Sequence, residues 1–185
     1  MALTINDSTL VSKYNGVKSY LDYYNTLGKP LVEEYSKDLD SKVNDVKNYL
    51  DNIRKFDLDF DILSLQKIVI DLSSTIYYTT SRLEQVNLLA DMSKVSYKDR
   101  YNEAYTSKQG AMKLEDRKYT AEQLRALADQ EAIEEELINF IYTHAAAVLK
   151  SKIDAANELL KAVSKSLSAQ IQTMQSFNYG QKHNG

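Results

Sequence analysis

Residues 65–90 read LQKIVIDLSSTIYYTTSRLEQVNLLA, and their spacing decides the fold. Leu65, Val69, Leu72, Ile76, Thr79, Leu83, Val86 and Ala90 recur at alternating steps of four and three. A repeat averaging about 3.5 residues is the narrow apolar seam of helices that pack along their length. The rest of the chain suits the same reading. It holds one proline, Pro30, and five glycines in 185 residues. Sheet topologies need many more turns than so few breakers supply.

Upstream, a helix is expected from Leu31 to about Lys55, with Val32, Tyr35, Leu39, Val46, Tyr49 and Ile53 on its seam and Lys42 interrupting it. Before it, Ser8 or Thr9 suits the cap of a first helix carrying Leu10, Tyr14, Val17, Leu21 and Tyr24. Gly28-Lys29-Pro30 reads as its end, because glycine suits a left-handed closing residue and proline cannot continue the ladder. The two helices would then form an antiparallel hairpin. Asp57 to Asp61, with alternating Phe56, Leu58 and Phe60, reads either as a short extended joint or as an acidic first turn favoured by the helix dipole.

Downstream of Ala90 the seam loses its large aliphatics, and a break is expected near Gly110. Thr120-Ala-Glu-Gln123 has the pattern of a capping box. No Gly or Pro follows until Gly180. Leu124, Leu127, Leu137 or Ile138, Ile141, Ala145 and Val148 share one face; Ile153, Ala156, Leu160, Val163, Leu167, Ile171, Met174 and Phe177 continue it. A single helix this long cannot bury its stripe alone and needs other helices or other subunits. Whether Lys150-Ser-Lys-Ile153 bends it stays open. Glu131, Glu134, Glu135 and Glu136 near its start and Lys150, Lys152, Lys161 and Lys165 near its end suit the dipole.

The expected fold class is therefore all-α: elongated helices with coiled-coil-like packing, an N-terminal helical hairpin and a long C-terminal oligomerisation helix. Three regions follow: 1–56 as the hairpin, 57–119 as a helical region that holds the cations and tyrosines of Lys94 to Tyr105, and 120–185 as the long helix with a polar tail. Ile153, Leu160, Val163, Leu167, Ile171, Met174 and Phe177 are the expected oligomerisation seam.

The formal charge of −3 argues against a general polyanion binder, so any nucleic-acid contact must come from a local patch. The absence of cysteine excludes disulfides and thiolate metal sites and suits an intracellular protein. Met1 to Asp7 lacks a cationic segment followed by a long apolar one, so no secretory signal is expected. No apolar run reaches the roughly 18 residues that suggest a membrane span.

Catalytic groups are sparse. His144 stands beside Ala145, Ala146 and Ala147, and His183 lies in the polar tail, neither within a ligand pattern. There is no phosphate-cradling glycine loop, nucleophile elbow or His-Glu zinc motif. The pairs Asp59/Asp61 and Glu134/Glu135 read as solvated charges. The expectation is a protein that is not an enzyme and carries no cofactor or metal.

One segment points to a function. Lys94 to Tyr105 reads KVSYKDRYNEAY. Lys94 and Lys98 share a helix face, and Tyr97, Tyr101 and Tyr105 form a row at steps of four. Arg100 lies about 200° round from Lys98. Cations beside flat rings suit the phosphates and bases of a single strand. The competing reading makes the tyrosines core and the cations their wet flank; Asp99 and Glu103, which weaken the positive field, favour it.

The pattern Lys94-Val95-x-x-Lys98-x-Arg100-Tyr101 resembles the basic motif of the UvsY-type recombination mediators of T-even-like phages. Ile171-Gln-Thr-Met174-Gln-Ser-Phe177 resembles the close of the same family, and Leu65-Gln66 its first helix. The similarity spans about Asp61 to Phe177; Asp99 departs from the small apolar residue between the family's basic pair, and residues 1–60 have no counterpart. The resemblance implies a non-enzymatic mediator that forms ring-like homo-oligomers through its C-terminal helices. It also implies binding of single-stranded DNA and help to a recombinase in displacing single-strand-binding protein. The cytoplasm, of an infected host cell for a phage protein, is the expected location, with no membrane contact. Lys98 and Arg100 match the paired basic positions, with Lys94, Tyr97 and Tyr101 beside them. Lys113, Arg117 and Lys118 extend the expected cationic surface beyond the glycine.

Overall fold

The computed structural model describes residues 18–56, 61–114 and 119–182, with side chains described except at 113–114 and 177–182. Among the described residues only Asp61, Tyr119, Thr120 and Ala132 lie outside helix. The fold is all-α, as the seam spacing requires. Residues 18–23 are helical and lead into a π-helical turn, Tyr24–Gly28. Four helices follow: α1 (Lys29–Phe56), α2 (Ile62–Leu114), α3 (Ala121–Glu131) and α4 (Ile133–Lys182).

The break expected at Gly28-Lys29-Pro30 is not there. The backbone widens into a π turn instead, with the Lys29 N–H donating to the Tyr24 carbonyl, five residues back. A π turn inserts an extra residue into the ladder. Pro30, which has no N–H to donate, therefore sits where the regular ladder is already displaced. Gly28 serves close packing rather than termination. A Cβ there would lie 2.5 Å from Cδ2 and 2.7 Å from Cε2 of Tyr24, and 3.2 Å from Cγ2 of Ile141. The antiparallel hairpin forms one helix later, between α1 and α2.

Gly110 does not break its helix either; α2 runs on to Leu114. A helix interior tolerates one glycine at a cost of about 1 kcal/mol against alanine. The capping box is present as expected: the Gln123 N–H donates to the Thr120 hydroxyl at 3.2 Å, and the Thr120 N–H donates to Gln123 Oε1 at 2.9 Å. The expected single last helix is divided once, at Ala132 (φ −98°, ψ 9°). The ladder is hardly disturbed, since Ala132 N–H still bonds Ala128 O and Glu136 N–H bonds Ala132 O. Lys150 to Ile153 lies inside continuous helix. Asp61 caps α2: its carboxylate accepts the Ser64 N–H at 3.1 Å and the Ser64 hydroxyl at 2.6 Å. That settles Asp61 as an acidic N-terminal group; Asp57 to Phe60 lie outside the described residues.

Contacts divide the chain into two units, Met1–Val32 with Glu84–Ala147, and Glu33–Leu83 with Val148–Gly185. In the second, α1 and α2 run antiparallel, because residues 35 and 38 meet 82 while 42 meets 71. Arg82 donates to Tyr35 O at 3.1 Å and pairs with Asp38 at 3.3 Å; Lys42 lies 3.7 Å from Asp71. Leu39, Val46 and Ile53 of α1, Leu65, Leu72, Ile76 and Leu83 of α2, and Leu149, Ile153, Ala156 and Val163 of α4 are its buried apolar residues. Buried Ser36 donates to Asp40 at 2.7 Å, and the same carboxylate oxygen takes Lys152.

In the first unit, residues 18–32 run parallel to the start of α4. The Tyr20 hydroxyl donates to Glu136 at 3.1 Å, and the Tyr24 ring meets His144 edge-on at 4.6 Å between centroids. Here α2 runs antiparallel to α3 and α4: Lys108 pairs with Glu131, and Ser93 Oγ lies 3.4 Å from Asn139 Oδ1. Val86, Ala104, Leu124, Ala128, Ala132, Ile141, Ala145 and Ala146 are buried. Several are alanines, which allow helices to approach closely.

Candidate nucleic-acid interface

The second half of α2 keeps its inward line through small residues. Ser93 and Ala104 are buried, and the Ser93 hydroxyl donates to the Ala90 carbonyl at 2.8 Å. Tyr97, Tyr101 and Tyr105 climb away from that line and are half-buried. On an ideal helix Lys94, Tyr97, Lys98, Tyr101 and Tyr105 fall within an arc of about 100°. The cations therefore border the ring row on one side, whereas Arg100 stands on the other.

The rings touch in sequence. Tyr97 and Tyr101 have centroids 6.3 Å apart with planes tilted by 46°. Tyr101 and Tyr105 are also 6.3 Å apart, with planes only 20° from parallel. The Tyr97 hydroxyl donates to Asp129 of α3 at 3.5 Å. Burial, with the Asp129 charge next, pushes its hydroxyl above the usual tyrosine range. The row is thus propped against α3 at one end and keeps part of each ring open, so packing and ring exposure occur together.

The cations divide into two sets. Arg100 pairs with Glu103 at 3.2 Å, and Lys108 pairs with Glu131. The Lys108 hydrogen bond holds the Glu131 carboxyl below the usual carboxylate range. Lys94 and Lys98 are exposed and make no ion pair among the described residues. They are the cations of this face left to meet an external anion. The side chains of Lys113, Arg117 and Lys118 lie outside the described ones. Asp129, which engages the row from a different helix, had no signal in the sequence, and Glu131, read there only as a dipole charge, takes Lys108.

The expected oligomerisation seam is placed unevenly. Ile153 and Val163 are 5% and 2% exposed, inside the second unit's own core, so they pack α4 within the chain rather than against another subunit. Leu160, Leu167 and Ile171 are half-buried, and Met174 is 58% exposed. The Phe177 side chain lies outside the described ones. The basic end of α4 is partly neutralised as well, by Asp40 at Lys152 and Glu158 at Lys161. His144 is an exposed rim residue, stacked on Phe140 at 5.8 Å with planes 2° apart.

Among the described residues no group of His, Cys, Asp and Glu is placed to hold a metal ion. No described helix is long and apolar enough to cross a membrane. Compared with protein-family models, curated proteins and solved structures, the chain matches none.

Proposed function

We propose that this chain is a non-enzymatic mediator of homologous recombination that binds single-stranded DNA along the second half of α2. The observation that carries the reading is the exposed Lys94–Lys98 pair bordering a row of half-open tyrosine rings. Phosphates released from their counterions hold the strand to the lysines, and bases stack on the rings. Arg100 joins them by exchanging Glu103, an exposed partner of modest strength, for a phosphate. The resemblance of Lys94 to Tyr101 and of Ile171 to Phe177 to the mediator family supplies the rest: a ring-like homo-oligomer, a recombinase to be loaded and a single-strand-binding protein to be displaced. Association through the open end of the α4 seam, Leu160 to Met174, multiplies a small cationic face into a longer track.

A second reading, a helical scaffold acting through protein contacts alone, draws on the carboxylates near the row: Glu103, Asp129 and Glu131. The two separate in one experiment. Anisotropy of a labelled oligodeoxythymidylate is followed at several salt concentrations for the wild-type chain and Lys94→Ala/Lys98→Ala. The mediator reading expects binding by the wild type, and a salt slope about 1.4 smaller in the variant at roughly 0.7 per lost phosphate contact on a single strand. Absence of wild-type binding at low salt, or an unchanged slope, favours the scaffold.

A further inference from the structure

The outward face of α2 between Leu63 and Ser81 is unlike the outward face of α1 in its unit. Leu63, Ile70 and Tyr77 recur every seven residues and are 73%, 64% and 73% exposed. Tyr78, 66% exposed, stands one step round with its ring edge-on to Tyr77 at 5.7 Å. Lys67 is the one charge among the exposed positions 63–81. The exposed positions of α1 from Glu33 to Lys55 are instead rich in Glu, Asp and Lys. Depletion of charge with enrichment of tyrosine is the composition of an interface core. A seven-residue repeat is also the period that keeps one helix face against another along its length.

We infer that this face is a self-association surface, on which a second copy of the chain packs its own α2 antiparallel across a two-fold axis at Ile70. The inference stands apart from the proposed DNA contact and from the α4 seam. Area argues for this occupant. The exposed parts of the four apolar side chains amount to roughly 500 Å², within the range of patches that mark interaction sites. The polar residues between them bring the face to on the order of 800 Å² per copy, the size of a standard interface. Charge sets the direction. A parallel pair would place Lys67 against its own counterpart. The antiparallel pair places Lys67 opposite Ser73, Leu63 opposite Tyr77 of the second copy, and Ile70 against Ile70. Ser73 and Ser74 lie near the axis and leave room for close approach.

The chain has no cysteine, so single introduced thiols report the register. Full-length variants are oxidised at micromolar concentration and resolved by non-reducing electrophoresis. Ile70→Cys is expected to cross-link to a dimer at least tenfold faster than Asn44→Cys, an exposed control on α1. Leu63→Cys and Tyr77→Cys are expected to cross-link when mixed and not when alone. Ile70→Glu, which changes only an exposed side chain, is expected to lower the mass measured by light scattering with the helical circular dichroism unchanged. Equal rates at residues 70 and 44 overturn the inference, as does Leu63→Cys joining to itself. A mass unaffected by Ile70→Glu also overturns it, even where Met174→Glu lowers the mass through the separate α4 seam.

Discussion

Alanine in place of glycine provides a test with opposite signs at two positions of the same chain. Gly110 lies in α2 with nothing within 4 Å of a Cβ built there. Gly110→Ala therefore gains helix propensity alone, about 0.8–1 kcal/mol. At Gly28 the same gain is opposed. The new methyl would overlap the Tyr24 ring at 2.5 Å and crowd Ile141 at 3.2 Å. If the ring stays, the overlap carries the roughly 1–3 kcal/mol of an overpacked site. If the ring swings away, the edge-on contact with His144 is lost, about 0.5–1.5 kcal/mol, and Ile141 must still move. The overlap outweighs the propensity gain, and displacement of the ring together with Ile141 at least offsets it, so Gly28→Ala destabilises by up to about 1 kcal/mol net. The two variants should thus differ by about 1–2 kcal/mol, or roughly 2–8 °C in Tm for a chain of this size. Urea and thermal unfolding followed at 222 nm measure both. A Gly28→Ala chain stabilised as much as Gly110→Ala would show that Tyr24 does not lie over Gly28.

Other consequences follow from single contacts. Leu39→Ala empties a site that is 1% exposed and should cost about 2–5 kcal/mol, read from the urea midpoint. Thr120→Ala removes half of the capping box at the start of α3 and should cost about 1 kcal/mol, with faster amide exchange in Ala121 to Leu124. The Ser64 hydroxyl, chiefly, holds the Asp61 carboxyl below its usual range. The unfolded chain therefore takes up that proton first; the stabilisation is complete above the ordinary aspartate pKa and is lost as pH falls through the lowered folded value. Asp61→Asn should flatten the acid limb of the stability curve while leaving the alkaline limb unchanged.

The seam of α2 was legible because Leu65 to Val86 alternate by four and three with large side chains at nearly every step. In α1 half of the seam was legible. Val32, Leu39, Val46 and Ile53 are buried as their seven-residue spacing requires. Between Val32 and Leu39 that spacing admits either Tyr35 or Ser36. Hydrophobicity favoured the tyrosine, yet Ser36 is the buried one because Asp40 accepts its hydroxyl hydrogen bond. Gly28 and Gly110 look alike as letters; only the ring over one and the open space beside the other separate close packing from tolerance. Ala132 carries no breaker signal, being a strong helix former, and the division there was invisible for that reason. At the candidate interface, Lys94, Lys98 and the tyrosine row could be read directly. The Asp129 carboxylate reaches the row, and Glu131 reaches Lys108, only after α3 folds back along α2, which no local pattern announces.

The proposed location of the strand is tested most directly by photocross-linking. Single-stranded DNA carrying 5-iodouracil is irradiated on the wild-type protein, and the joined peptides are identified by mass spectrometry. The account predicts adducts at Tyr97, Tyr101 or Tyr105, suppressed by added salt and by Lys94→Ala/Lys98→Ala. Adducts confined to α1 or α4, or none at low salt, would contradict it.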